Sequence, residues 1–201
     1  MTYGPLLVNI GLNEAGIGVA INSVFASDTR IGVPRVLYSR AVLKAQSIEE
    51  AIQTCLLQKR AGGYHYLLAD AQGRSYSVET SASHHHVHPG ERGWLVHTNH
   101  YLSTELRALE TKRDLRNSQL RFQHALQLLE SQLGSLDLES LQNLLRDHAN
   151  APNSICEHED PTAPPHQRFL TLFSMIMDLT QGLMWAAPGP PCQGTYTAYP
   201  L

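Results

Sequence analysis

The sequence predicts an α+β layered protein, on three observations. Short β-type runs come in pairs around turn residues, at 6–10 with 17–21 and at 64–70 with 75–79. Helical periodicity is confined to a stretch after the first pair and two stretches in the middle of the chain. A last apolar run at 169–178, followed by Gln181-Gly182 and a run at 183–187, forms a closing hairpin. Helices grouped between antiparallel hairpins indicate segregated layers, not a doubly wound sheet.

Taken in order, Gly11-Leu12-Asn13-Glu14-Ala15-Gly16 is the turn of the first hairpin. Ser47 with Glu50 has the form of a capping box. Ile48, Ala51, Ile52, Cys55 and Leu56 follow at helical spacing, ending near Ala61-Gly62-Gly63. The second hairpin turns on Ala71-Gln72-Gly73-Arg74. A strand is expected at 93–96, running into His97-Thr98-Asn99-His100. Leu115, Phe122, Ala125, Leu126, Leu129 and Leu133 share a helix face. Asp137 caps a second helix bearing Leu138, Leu141, Leu144 and Leu145. A loop rich in Pro, Asn and His covers 149–166. The run 169–178 is apolar on both alternating faces, as in a central strand, and Pro188 to Pro191 end the regular structure.

Composition narrows the function. A net charge of -3 with no basic run gives no electrostatic reason to bind nucleic acid or an anionic membrane. The apolar stretches are too short to span a bilayer. Three cysteines at irregular spacing fit a reducing compartment, and the expected location is the cytoplasm. The partner expected is a small molecule, and no cofactor is implied.

Six of the eleven histidines lie between His84 and His100. The run His84-His85-His86-Val87-His88 offers zinc ligands, but successive residues of an extended segment point to opposite faces. It reads as an exposed strand end, and no metal ligand is assigned. Cys55 belongs to the core face of its helix. Cys156 has His158 two residues on, where side chains need not meet, and Cys192 has no nearby base in sequence. None of the three has the context of a nucleophile. His97-Thr98-Asn99-His100-Tyr101 differs in kind. An Asn amide held at a strand end can donate to the oxyanion of an acyl-transfer intermediate, or it can simply cap a turn.

Residues 11–22, Gly-Leu-Asn-Glu-Ala-Gly-Ile-Gly-Val-Ala-Ile-Asn, resemble the G-x-N-E-x-G-hydrophobic-x-V-x-x-N stretch of cysteine N-terminal-nucleophile hydrolases. The similarity extends in order through Gly32-Val33-Pro34-Arg35, Leu67-Leu68-Ala69-Asp70 with Gly73, His97 to Tyr101, Asn153-Ser154-Ile155-Cys156 and Gly189-Pro190-Pro191-Cys192. The chain is thereby similar to the autoproteolytic acyltransferase family of isopenicillin N acyltransferase (acyl-CoA:6-aminopenicillanic acid acyltransferase-like). The resemblance implies an αββα four-layer sandwich. It also implies acyl transfer or amide hydrolysis through a cysteine thioester, on an amide or acyl-thioester substrate. Carried over by motif, Asn99 and Asn22 are the catalytic, oxyanion-stabilising residues, and Ser154, His97 and His100 belong to the substrate pocket.

Members of that family carry the cysteine upstream of the G-x-N-E block, a position that no cysteine of this chain matches. The resemblance therefore implies that residues 1–201 are one domain, the C-terminal greater part of such an enzyme. The nucleophile segment would be encoded upstream or supplied as a separate chain. Thr2, exposed by removal of Met1, is the one other nucleophile to weigh, and motif order speaks against it. Glu157 stands where a basic residue is expected. The alternative reading is a non-catalytic binding module that retains the hydrolase scaffold.

Overall fold

Asn13 ties the first turn to the layer of helices. Its side chain donates to the carbonyls of Leu43 and Ala45, at 3.2 and 2.8 Å, and accepts from the Ile17 N–H at 3.0 Å. Gly16 turns the chain with φ +72°, where a Cβ would stand 2.9 Å from that of Ala71, so a side chain is excluded by strain and by space. The G-x-N-E-x-G stretch is thus an architectural clamp.

The computed structural model describes residues 9–90, 92–165 and 168–201. Thr2 and most of the run 6–10 lie outside the described residues. The chain divides into two compact units, one of residues 1–113 with 177–183 and 201, the other of residues 114–176 and 184–200.

The first unit is built on a five-stranded antiparallel sheet in sequence order: β1 (Gly11–Leu12), β2 (Ile17–Asn22), β3 (Tyr64–Asp70), β4 (Ser75–Thr80) and β5 (His85–Pro89). Two helices, α1 (Arg35–Val42) and α2 (Ile48–Leu56), cover one face. Ile17, Val19, Tyr66, Leu68 and Val78 on that face pack with Val42, Ile48, Ala51 and Cys55 into one buried cluster. Period-two alternation therefore leaves Gly18, Ala20, Asn22, His65, Leu67, Ser75, Ser77 and Glu79 on the other face. Ser47 caps α2 by accepting from the Glu50 N–H, but the Glu50 carboxylate accepts from Gln46 instead of the cap residue. A short helix α3 (Thr104–Arg107) follows the His97 segment. Its Leu106 packs with Val24, Ala26 and Tyr101.

The second unit contains α4 (Arg116–Ser131), α5 (Leu138–Leu145) and most of a three-stranded sheet ordered β6 (Phe173–Asp178), β7 (Leu183–Pro188) and β8 (Thr197–Pro200). Asp137 and Ser140 form a complete capping box on α5. Among the described residues no helix is long and apolar enough to cross a membrane.

Several expectations need correction. Residues 92–96 form no strand, and the chain reaches His97 as irregular backbone. The histidine run, read as a strand end, is itself strand β5, paired along β4. The closing strand begins at Phe173 and, among the described residues, lies at the edge of its sheet instead of its centre. Its residues are mostly half-buried, which is why both faces are apolar without both being fully covered. Regular structure also resumes after the prolines, as β8.

Candidate active site

The polar end of the first sheet assembles a row of side chains that no single segment contains. Asn22 is opposite His65, and His65 is opposite Glu79, so all three project from one face at the same level. The His65 imidazole spans two partners. Its Nδ1 lies 2.9 Å from Asn22 Oδ1, and its Nε2 lies 2.9 Å from Ser77 Oγ. An amide oxygen only accepts, so Nδ1 carries the hydrogen and Nε2 accepts from the serine. Burial, and then the charge of His97, push the His65 pKa well down, which keeps the ring in this neutral form. Because Asn22 Oδ1 is occupied, the amide N–H groups of Asn22 remain as donors.

His97 covers His65. The rings stack with centroids 3.4 Å apart and planes 7° from parallel. His97 Nε2 is 2.9 Å from Glu79 Oε1 and its Nδ1 is 2.6 Å from the Thr98 carbonyl. Both partners are oxygen acceptors, so each ring nitrogen of His97 is held by an oxygen. Burial alone would raise the Glu79 pKa. The hydrogen bonds from His97 and from the Leu102 and Ser103 N–H groups, at 2.5 and 2.9 Å, together outweigh it and hold the carboxyl below its usual range. Glu79 thus fixes both the ring and the chain that follows it.

That chain carries Asn99. Its Nδ2 donates to the Ser23 carbonyl at 3.2 Å, which brings it beside the residue that follows Asn22. Arg113 donates to the Asn99 carbonyl and lies over the Phe25 ring at 4.5 Å. Both amides are half-buried. His100 is buried, with Nδ1 3.2 Å from Thr98 Oγ1. Next along the chain from Ser23 is a cleft of about 310 Å³, lined by Val24, Phe25, Ala26, Pro34, Arg35 and neighbouring residues.

Of the residues singled out from sequence, the first unit brings Asn22, Asn99, His97 and His100 into one neighbourhood. Ser154 belongs to the second unit, where it is buried and donates to the Cys156 carbonyl at 2.7 Å. His65, Ser77 and Glu79 were missed, although a His and a Glu at matching phases of two paired strands are a legible signal once the pairing is known. Cys55 is buried in the core, as its helical phase requires. Cys156 and His158, whose spacing left open whether they meet, do meet, with sulfur and Nε2 3.7 Å apart. Nor is Cys192 without a base, for His158 Nε2 is 3.2 Å from it. The Glu157 carboxylate accepts from the Asn117 amide.

The family model for acyl-coenzyme A:6-aminopenicillanic acid acyl-transferase matches residues 8–192. The chain belongs to this acyltransferase family. A comparison with curated protein sequences finds no match. Among solved structures, the chain is similar to an Arg-to-Leu variant of conjugated bile acid hydrolase from Clostridium perfringens. The TM-score is 0.63 at 15% identity, over 96% of this chain and 77% of that one. It is also similar to penicillin V acylase from Agrobacterium tumefaciens, with TM-score 0.64 at 17% identity, over 96% of this chain and 65% of that one. The α+β fold of the N-terminal-nucleophile hydrolases, expected from the motifs, is the fold of this acyltransferase family member. The chain spans just under two thirds of the penicillin V acylase.

Proposed function

We propose that this chain supplies the oxyanion side and substrate pocket of an enzyme that transfers or hydrolyses an acyl group through a cysteine thioester. Residues 1–201 then form the greater part of one hydrolase domain, and the thiol comes from a cysteine outside them. The observation that supports the reading is the approach of Asn99 to the backbone next to Asn22. Asn22 is turned by His65 so that its N–H groups are free to donate, and Asn99 is bonded to the carbonyl of the very next residue. Preorganised amide donors of this kind stabilise negative oxygen without reorganising during reaction.

In this mechanism the thiol of an N-terminal cysteine passes its proton to the adjacent α-amino group and attacks the acyl carbon. The carbonyl oxygen becomes negative and accepts hydrogen bonds from Asn22 and Asn99. Collapse expels the amine or thiol, which takes the proton, and leaves the thioester. Water or an acceptor amine then receives the acyl group. His97 and His100 contribute to the pocket from beneath, by holding the turn that presents Asn99. The cleft beside Phe25 suits an apolar acyl group, with the Arg35 guanidinium available to a carboxylate.

The test is turnover by the protein joined to its cysteine-bearing segment, offered penicillin V, a conjugated bile acid, or an acyl-CoA with 6-aminopenicillanic acid. Asn99→Ala should lower kcat by about 10²–10³-fold. An unchanged kcat removes Asn99 from the reaction. Binding of these compounds without turnover, by the same joined protein, favours the scaffold as a binding module.

A further inference from the structure

A second cluster of reactive side chains lies in the other unit, on the loop after α5 and the turn after β7. His148, Cys156, His158 and Cys192 bring one ligand atom each to within 4.8 Å of one another. We propose that these four residues form a structural Zn²⁺ site. The inference is independent of the acyl-transfer reading, and none of the four ligands has a part in that reading.

Four of the six separations between ligand atoms fit a single ion, and all six are within 4.8 Å. A tetrahedral zinc with Zn–S about 2.3 Å and Zn–N about 2.05 Å separates two sulfurs by roughly 3.8 Å, two nitrogens by roughly 3.3 Å and sulfur from nitrogen by roughly 3.6 Å. Here the two sulfurs are 3.6 Å apart, and the Nε2 atoms of His148 and His158 are 3.1 Å apart. From His158 Nε2 to the sulfurs of Cys156 and Cys192 the distances are 3.7 and 3.2 Å. The sulfur separation is far beyond the roughly 2.05 Å of a disulfide, and both cysteines are free. Two thiolates and two imidazoles are also a donor set selective for zinc over magnesium or calcium.

The surroundings hold the ligands in place. The Cys156 N–H donates to the Asp147 carbonyl at 2.9 Å, and the Ser154 hydroxyl donates to the Cys156 carbonyl. The Asp147 carboxylate accepts from the Ala149 N–H at 2.8 Å and lies 2.9 Å from His124 Nε2. Arg146 donates to the Pro191 carbonyl at 3.1 Å, which pins the Cys192 turn to the end of α5. Cys156 is buried, whereas His148 and Cys192 are exposed, so an ion can enter from solvent. Zinc binding replaces the two thiol protons, which leave to solvent, and the neutral imidazoles donate their Nε2 lone pairs. With four protein ligands no position is left for water, which makes the site a staple rather than a catalyst. It joins positions 36 residues apart, from Cys156 to Cys192.

The test is metal content and cobalt spectroscopy on tag-free protein, purified and assayed under a non-thiol reductant. The expected result is about one zinc per chain, removed by a chelator with a fall in Tm and restored by added Zn²⁺. Co²⁺ should give the visible bands of a tetrahedral ion with sulfur-to-metal charge transfer. His148→Ala and Cys192→Ser, both at exposed positions, should abolish stoichiometric binding, while His86→Ala in the β5 run should leave it intact. Folded wild-type protein that takes up neither Zn²⁺ nor tetrahedral Co²⁺ after reduction overturns the proposal. So does zinc retained in both ligand variants, or lost in His86→Ala alone.

Discussion

The His65 ring lies flat against the His97 ring, with 3.4 Å between centroids, and the two have different hydrogen-bond partners. His65 orients Asn22 through Nδ1, and His97 is bonded to Glu79 through Nε2. The stack therefore joins two sides of the proposed oxyanion site through a face-to-face contact.

Stability should depend on the protonation of His65. Its pKa is depressed in the folded protein by burial and then by His97, whereas in the unfolded chain it returns to about 6.5. Between those values the unfolded state binds more protons, so stability rises with pH through that window and is level above it. The midpoint of urea unfolding should fall as pH drops below about 6.5. His65→Gln should flatten that dependence, and an equally steep profile in the variant would count against the assignment.

Glu79 titrates in a lower window. Its folded pKa is depressed below the ordinary 4.5, so its contribution is present above that value and is lost as pH falls through the folded pKa. Glu79→Ala leaves His97 Nε2 and the part-buried N–H groups of Leu102 and Ser103 without their partner. Removing one partner of a buried, hydrogen-bonded pair costs about 3–5 kcal/mol. Equilibrium unfolding at neutral pH measures this, and a loss below 1 kcal/mol would mean that the pair behaves as a surface ion pair.

The two amides should act as a unit. If Asn22 and Asn99 serve the same oxygen, the double variant Asn22→Ala with Asn99→Ala should lose much less than the product of the two single losses. Simple multiplication of the effects, read from kcat/KM, would assign the amides to separate tasks.

Gly63 sits where a side chain has no room. A Cβ there would stand 2.1 Å from the Tyr101 hydroxyl oxygen and 2.7 Å from the Thr80 carbonyl. The Tyr101 hydroxyl is already bonded to that carbonyl at 2.9 Å, so neither atom can move alone. Gly63→Ala should destabilise by about 1–3 kcal/mol through overpacking, measured by the shift in denaturant midpoint.

Asp137 caps α5 through the Ser140 N–H, and the Ser140 hydroxyl is 3.0 Å from the Asp137 N–H. Asp137→Ala should cost about 1 kcal/mol, with Asp137→Asn close to wild type. Because the cap lies far in sequence from the first sheet, the variant should leave the His65 pH dependence unchanged.

Local chemistry wrote much of this protein legibly. The hairpin of β3 and β4, the caps at Ser47 and Asp137, the core phase of Cys55 and the family motifs are decided by neighbours a few residues apart. Periodicity and turn residues report such neighbours directly. What the sequence by itself left open were meetings between distant positions. Asn22 finds His65 across 43 residues, and Cys192 finds His158 across 34. Those distances depend on strand order, register and the path of the loops, and a shift of one residue would turn every side chain of a strand to the opposite face. Tertiary structure alone therefore decided that Glu79 holds His97, that His65 aims Asn22, and that two cysteines 36 residues apart share one corner with two histidines.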